Sequence, residues 1–384
     1  MTEERTYDLV LFGATGFTGG LIAQYLCKRL GTSKRWAIAG RDRAKLETRR
    51  AALGGAGASA GDLIEQIGLI EADSADPESL RAMVRQTKLV ITTVGPYTRY
   101  GEPLVAACVD EGTDYVDLTG ETNWWRKIVE RYHERAVARN VLIIPACGFD
   151  CIPADMGALF TAAQLPDDQP ITIDAYARGS GSFSGGTVAS AMELLADASA
   201  APSNGASRDK PPLVHYARDV DTWAVRSMVL DPWVVRRSAE LQPELFGDQL
   251  RYRQYFAFPS RLVAYGAVGV GATVMTAAKL KPVRTLITKL RPSGSGPTNE
   301  QRKKGWFRFE FVGRGGGREV RTHVSGGDPG YDETSKMISE AAIMLIEARD
   351  ELPLRGGVVT TASGLGRGFI PRLEAVGLEF GLDH

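Results

Sequence analysis

Cysteine and histidine are scarce in this chain, with four of each among 384 residues. The cysteines, Cys27, Cys108, Cys147 and Cys151, are too few to staple a chain of this length. A disulfide scaffold is therefore excluded, and free thiols in a reducing compartment are expected. Two thiols stand close in Cys147-Gly148-Phe149-Asp150-Cys151, but no second pair matches them. With so few histidines besides, neither zinc nor any other metal is expected. Net charge is missing too: Lys+Arg and Asp+Glu stand at 46 each. That balance lacks the electrostatic footprint of a nucleic-acid binder, and no nucleic-acid partner is expected. The start, Met1-Thr2-Glu3-Glu4-Arg5, has neither the basic head nor the cleavage site of a secretory leader, so cytoplasmic residence is expected. No nucleophile elbow and no Ser-His-Asp order is present.

What is present is the composition of a globular protein, 43% hydrophobic and 24% charged, in a chain long enough for about two domains. Short apolar runs alternate with helical patterns up to residue 150. The runs are Leu9–Phe12, Trp36–Ala39, Ile67–Ile70, Leu89–Val94, Tyr115–Leu118 and Val141–Ile144. The helical patterns between them are Thr18–Leu30, Ala44–Leu53, Pro77–Gln86, Pro103–Glu111 and Thr122–Arg139. This alternation predicts an α/β fold, a Rossmann-type doubly wound parallel sheet, over residues 1–150. After Ile152 the rhythm changes. Strand patterns at Ile171–Ala177, Tyr252–Phe258, Trp306–Val312 and Glu319–Val324, with helices near Gly186–Ala198 and Thr334–Leu352, predict a second α+β domain over 151–355 for substrate or dimer contacts. Residues 356–384 are expected to return to the first domain.

Directly after the first strand comes Gly13-Ala14-Thr15-Gly16-Phe17-Thr18-Gly19, opening a helix. Gly13 suits a tight turn, Gly16 lets backbone approach a pyrophosphate, and Gly19 lets the helix pack on the sheet. The spacing is GxxGxxG, less specific than GxGxxG, and its place between strand and helix carries the weight. The second strand ends in Gly40-Arg41-Asp42-Arg43, where an adenosine ribose belongs. A guanidinium there favours the 2′-phosphate of NADP, and an inward Asp42 carboxylate would restore NAD. Asp73, ending the third strand, is a candidate for the adenine edge or a helix cap. Thr93-Val94-Gly95-Pro96-Tyr97 meets the nicotinamide side. The expected cofactor contacts are thus Gly13, Thr15, Gly16, Phe17, Thr18, Gly19, Arg41, Asp73, Gly95, Pro96 and Tyr97. Tyr97 is also the expected proton donor, with Tyr100 as second choice. No tyrosine is followed four positions on by lysine, so the proton-relay pair of short-chain dehydrogenases is absent.

The strings YDLVLFGATGFTGGLIAQYL, AGRDRAKL, TTVGPYTRYGEPLVAACVDEGTDYVDLTGE and PACGFDCIPADMG resemble the saccharopine dehydrogenase-like oxidoreductases. Ser184-Gly185-Gly186-Thr187, Gly326-Gly327-Asp328-Pro329-Gly330-Tyr331 and Gly356-Gly357-Val358 with Ser363 resemble that family's later segments. Within the family the chain most resembles the bacterial trans-acting enoyl reductases that serve lipid-making polyketide synthases. The resemblance implies hydride transfer from NADPH to an enoyl thioester. The alternatives are an imine or carbonyl oxidoreductase, and a non-catalytic dinucleotide-binding protein at a lipid surface.

Leu262–Ala278 carries no charge, while Arg261 precedes it and Lys279, Lys281, Arg284, Lys289 and Arg291 follow. It is short for a membrane span. A buried helix and an interfacial, acyl-contacting helix are the two readings. The expected partners are an acyl or polyketide thioester on a carrier protein, a membrane touched peripherally, and a second copy of the chain.

Overall fold

The computed structural model describes residues 5–54, 64–181, 212–247, 249–278 and 296–383. The helix expected at 186–198, the Ser184–Thr187 string and the cations from Lys279 to Arg291 lie outside the described residues. Chain order begins β1 (Tyr7–Phe12), α1 (Phe17–Leu30), β2 (Trp36–Gly40), α2 (Arg43–Leu53), β3 (Gly68–Glu71), α3 (Pro77–Val84), β4 (Thr87–Thr92), α4 (Tyr97–Glu111), β5 (Asp114–Asp117), α5 (Thr122–Ala138) and β6 (Leu142–Ile144). These strands are short and apolar, and the central ones are buried on both faces, as a helix-covered parallel sheet requires. The helices start where polar caps or Pro allow: the Asp42 and Asp76 side chains accept the first-turn N–H groups of α2 and α3.

The chain continues with α6 (Ile152–Ala162), β7 (Ile171–Ser180), β8 (Val214–Ala217), β9 (Thr222–Arg226), α7 (Asp231–Leu241), α8 (Pro243–Phe246), β10 (Leu250–Phe258), α9 (Arg261–Ala278), α10 (Asn299–Arg302), β11 (Trp306–Gly315), β12 (Arg318–Gly326), α11 (Asp332–Glu347), β13 (Gly357–Val358), α12 (Thr361–Leu365), α13 (Phe369–Ala375) and β14 (Glu379–Asp383). The first sheet runs β13-β6-β5-β4-β1-β2-β3, every described pairing parallel. That is the doubly wound order with a seventh strand from the far end of the sequence. The second sheet runs β14-β12-β11-β7-β10-β9-β8 and is mixed, β7 and β10 being parallel. The helix α6 packs on β7, β11 and β12 of the second sheet. Its Gly157 lies so close to β11 and β12 that a Cβ there would stand 2.3 Å from Phe311 and 3.0 Å from Val324.

The chain crosses between the sheets more often than the expected division at 151 and 356 implies. Although it follows β12, α11 packs on α1, β1, β4 and β5. Its residues Met337–Leu345 are buried on every side, so their pattern carries no single apolar stripe to announce which sheet they serve. The strand β13 pairs with β6 in the first sheet, whereas β14 returns to the second and pairs with β12. The tail from 356 onward therefore serves both layers.

Candidate active site

The turn after β1 is built from backbone. Gly13 sits at φ +92° and donates its N–H to the Ala39 carbonyl at 2.9 Å. A Cβ on Gly19 would lie 2.2 Å from the Gly13 carbonyl oxygen, so α1 rests directly on the turn. Gly16 caps α1 with no side-chain acceptor, and the first turn holds no acid. The N–H groups of Phe17, Thr18 and Gly19 stand at the positive end of the helix with no side-chain acceptor among the described residues. A backbone turn of this kind, with α1 seated tightly on it, fits a dinucleotide pyrophosphate. The ring of Phe17 is taken up by the second layer, edge-on to Tyr331 at 5.1 Å and beneath the Arg302 guanidinium at 5.8 Å.

At the end of β2 the two candidates, Arg41 and Asp42, are placed differently. Asp42 caps α2: its carboxylate accepts the Lys45 N–H at 3.1 Å and pairs with the Lys45 ammonium at 3.2 Å. Arg43 pairs with Glu47 and donates to the Leu69 carbonyl. Arg41 is exposed and forms no ion pair with a described residue. Arg49, which sequence reasoning passed over, reaches back from α2: its guanidinium packs on Gly20 and approaches the Thr15 carbonyl at 3.4 Å. The only sequence signal for it is one more arginine among several on an exposed-looking helix. Asp73 folds its carboxylate onto the Ala75 N–H at 2.9 Å, and Asp76, not Asp73, caps the next helix. Arg41→Ala should weaken NADPH binding about ten- to a hundredfold and leave NADH nearly unchanged, because one charge-assisted contact is worth ~1.5–3 kcal/mol. Fluorescence titration with both cofactors measures this, and equal losses for the two would count against the assignment.

Along the carboxyl rim, Gly95 is exposed and Pro96 half-buried before α4 begins. Glu121 holds that helix start, accepting the Tyr97 N–H at 2.8 Å and the Thr98 N–H at 2.7 Å. Tyr97 itself is only 5% exposed. Its hydroxyl donates to the Thr92 carbonyl and accepts the Leu118 N–H, both at 3.2 Å. Burial, and then the Asp117 carboxyl, push the phenol well above its ordinary value. The hydroxyl expected to donate a proton is thus anchored between the ends of β4 and β5, and its geometry is that of a pin.

Asp117 is wholly buried. It accepts from the Tyr115 hydroxyl at 2.6 Å and from the N–H groups of Thr119 and Ala146 at 2.8 and 2.9 Å. Burial pushes its carboxyl up to about 7. Asp231, at the start of α7, accepts from the Gln254 amide at 2.6 Å and is pushed up to about 8, again by burial. Asp155 joins α6 to the tail, accepting from Ser238, from the Thr361 hydroxyl at 3.0 Å and from the Ala362 N–H at 2.8 Å. All four thiols are buried, and burial holds Cys147 and Cys151 well above the ordinary thiol range, so both are packing groups.

Asp150 is different. It stands in the turn after β6, next to Gly120, where an added Cβ would lie 3.1 Å from its Oδ2. No described side chain or N–H holds its carboxylate. The group is open to water at the mouth of the rim yet set deep in the mass of the protein, and desolvation pushes it up to about 6. Phe149 beside it is clamped by Phe307 and Phe309, with ring centroids 5.0 and 5.9 Å away, so the second sheet stands over this end of the rim. Sequence reasoning did not single out Asp150; the available signal was an acid in a strand-to-helix turn at the carboxyl edge.

These carboxyls give a pH signature to folding. A carboxyl raised in the folded protein binds its proton more tightly there than in the unfolded chain, whose value is near 3.9. Stability should therefore fall as pH rises from about 4 through about 7 for Asp117 and about 8 for Asp231. Urea midpoints across that range measure the slope, which should be shallower in Asp231→Asn. A stability that rose steadily to pH 8 would refute it.

A glycine turn at a helix start and a rim at the switch point of a doubly wound parallel sheet are the parts of a dinucleotide-dependent oxidoreductase. Residues 9–144 match the saccharopine dehydrogenase NADP binding domain. A trans-acting enoyl reductase of Mycobacterium leprae is 32% identical over 424 residues, covering 99% of this chain and 98% of its own. A trans-acting enoyl reductase of Mycobacterium tuberculosis is 32% identical over 421 residues, covering 98% of each chain. Another Mycobacterium tuberculosis protein, whose name gives the same activity provisionally, is 35% identical over 414 residues at 97% of each. The apo saccharopine dehydrogenase (L-Glu forming) of Saccharomyces cerevisiae has this fold, with a TM-score of 0.53 at 10% identity over 98% of this chain and 100% of that one. The chain belongs to the saccharopine dehydrogenase-like family, and over nearly its full length it is similar to relatives named trans-acting enoyl reductases.

Proposed function

We propose that this oxidoreductase reduces the double bond of an enoyl thioester in lipid or polyketide synthesis, acting in trans on a substrate brought by a carrier protein. The observation that carries this reading is Asp150, a carboxyl open at the rim near the buried acids Asp117 and Glu121, in no salt bridge with a described residue and pushed up to about 6 by desolvation. It is placed to give a proton and ill suited to receive the carboxylates of a dicarboxylic amino acid, whereas a neutral thioester meets no such repulsion. The relatives named above as trans-acting enoyl reductases support the same reaction.

The first-turn N–H groups of α1 would hold the pyrophosphate, and Arg41 the 2′-phosphate. When bound, NADPH supplies hydride to the β carbon of the substrate. The matching proton, delivered to the α carbon, comes from Asp150, the carboxyl on this rim that is open and unpartnered among the described residues. Tyr97 pins β4 to β5, and Glu121 fixes the start of α4. The same acids favour one competing reading, a substrate bearing an ammonium or iminium group. Following NADPH oxidation with crotonyl thioesters and, in parallel, with keto acids plus ammonia separates the two. Turnover with the enoyl thioester alone is the expected result, and turnover with the keto acids alone would overturn it.

A further inference from the structure

We propose that α9 seats the protein on an anionic lipid bilayer, lying in the interface between headgroups and acyl chains. The helix leaves β10 after Pro259-Ser260, rests on β9 and β10 at its base, and among its described side chains buries Ala264 alone, with Ala267, Val268 and Ala277 half-buried. The other described side chains are exposed. Leu262 is 86% exposed, and Val263, Tyr265, Val270 and Val274 are exposed as well, at positions spread around the helix. Cβ atoms added at Gly266, Gly269 or Gly271 would meet nothing within 4 Å. No residue from Leu262 to Ala278 is charged.

A helix of this kind is a poor object to leave in water. Three glycines cost roughly 1 kcal/mol each relative to alanine in an exposed helix, with little packing to offset them. A protein partner would cover one side and leave the other wet, whereas a bilayer surface can receive apolar side chains over a wide arc. The polar side chains already suit such a medium: the Thr273 and Thr276 hydroxyls donate to the Gly269 and Ala272 carbonyls of their own helix, at 2.9 and 2.8 Å. At the base, the Arg261 guanidinium lies over the rings of Trp223 and Tyr265, 5.7 and 5.6 Å from their centroids, and Tyr216 stands 5.7 Å from Trp223. Aromatic rings and a snorkelling cation are the groups that settle at headgroup depth.

Charge selects the kind of membrane. From Gln249 to Asn299 the sequence contains no aspartate or glutamate and eight lysines and arginines, in a chain whose charges balance overall. Arg253 among them is paired with Asp174. An excess of cations next to an uncharged helix matches anionic headgroups. The helix is ~27 Å long at 1.5 Å per residue, and no described helix is long and apolar enough to cross a membrane. Seating on the surface follows, not spanning.

The test uses the whole protein and flotation with vesicles of phosphatidylcholine, with and without phosphatidylglycerol. The parent should float with the anionic vesicles, less with the neutral ones, and less again at high salt. The double variant Leu262→Asp/Val270→Asp should lose about tenfold or more in partition, while its NADPH affinity and thermal unfolding stay at the parental values. No flotation of the parent, or equal flotation of parent and variant, overturns the proposal. So does a parental dimer that the double variant dissociates without any vesicle binding, which would make α9 a subunit contact. A lower KM for carrier-bound substrate, lost in the variant without vesicle binding, also overturns it and makes α9 a carrier dock. Flotation and NADPH titration need no turnover, so failure here leaves the enoyl reductase reading standing, and failure of that reading leaves this one.

Discussion

Asp150→Asn is expected to lower kcat for enoyl thioester reduction by about a hundredfold or more, since a positioned general acid contributes roughly 10²–10⁴. The variant keeps the shape of the side chain and removes its transferable proton. NADPH affinity should stay within about twofold of the parent, because the proposed cofactor contacts are elsewhere. The pH dependence gives the sharper readout. The donor must be protonated, and its carboxyl is pushed up to about 6. In the parent, kcat/KM should therefore fall as pH rises above about 6, and that limb should be missing in the variant. Asp150 makes no hydrogen bond to a described residue, so the substitution should leave stability within about 0.5 kcal/mol. A variant with parental turnover and an unchanged pH profile would remove Asp150 from the chemistry.

The second large effect is on folding. Asp155→Ala should cost about 3–5 kcal/mol, because it leaves the Thr361 hydroxyl, the Ala362 N–H and one Ser238 bond without their acceptor in a place water does not reach, at ~1–3 kcal/mol for each unsatisfied group. Ser238 also bonds the Thr360 hydroxyl at 2.6 Å, and Thr360 caps α12 through the Ser363 N–H at 3.1 Å. One carboxyl thus holds α6, α7 and the start of α12 together. Urea unfolding measures the loss, and proteolysis near residue 360 should quicken in the variant before global unfolding. A cost below about 1 kcal/mol would mean that the hydroxyls find each other instead.

The first sheet was legible because each of its strands is a short apolar run between helical periods, and its edges fall within two residues of the patterns in Leu9–Phe12, Trp36–Ala39 and Val141–Ile144. The helix α4 was read too short, from Pro103, although it starts at Tyr97: proline suggests a helix start, while the Glu121 carboxylate that holds the real start lies 24 positions away. The strands β8 and β9 and the helix α7 went unread because their patterns are brief and half-exposed. In the candidate site, the turn at Gly13 and the close packing at Gly19 were legible from spacing. What spacing cannot give is the direction of a side chain. Tyr97 looked like an open donor and is pinned by two backbone groups, Asp42 was the alternative that would restore NAD and is a cap, and Asp150 drew no notice and forms no side-chain hydrogen bond with a described residue. The apolar run of α9 left two readings open, because its pattern is apolar all round whether a core or a lipid covers it.

The place of β13 has a consequence for synthesis. Six strands of the first sheet are complete by Ile144, but the strand that covers the edge of β6 is Gly357–Val358. At ~5–20 residues per second on the ribosome, more than two hundred residues separate them, a delay of about 10–40 s. Throughout that interval β6 is an open edge with unpaired N–H and C=O groups, able to template pairing with a neighbouring nascent chain on the same message. Slowing synthesis lengthens the exposure. High-level expression of this protein is therefore expected to gain more from a holdase that masks strand edges than from a lower temperature alone.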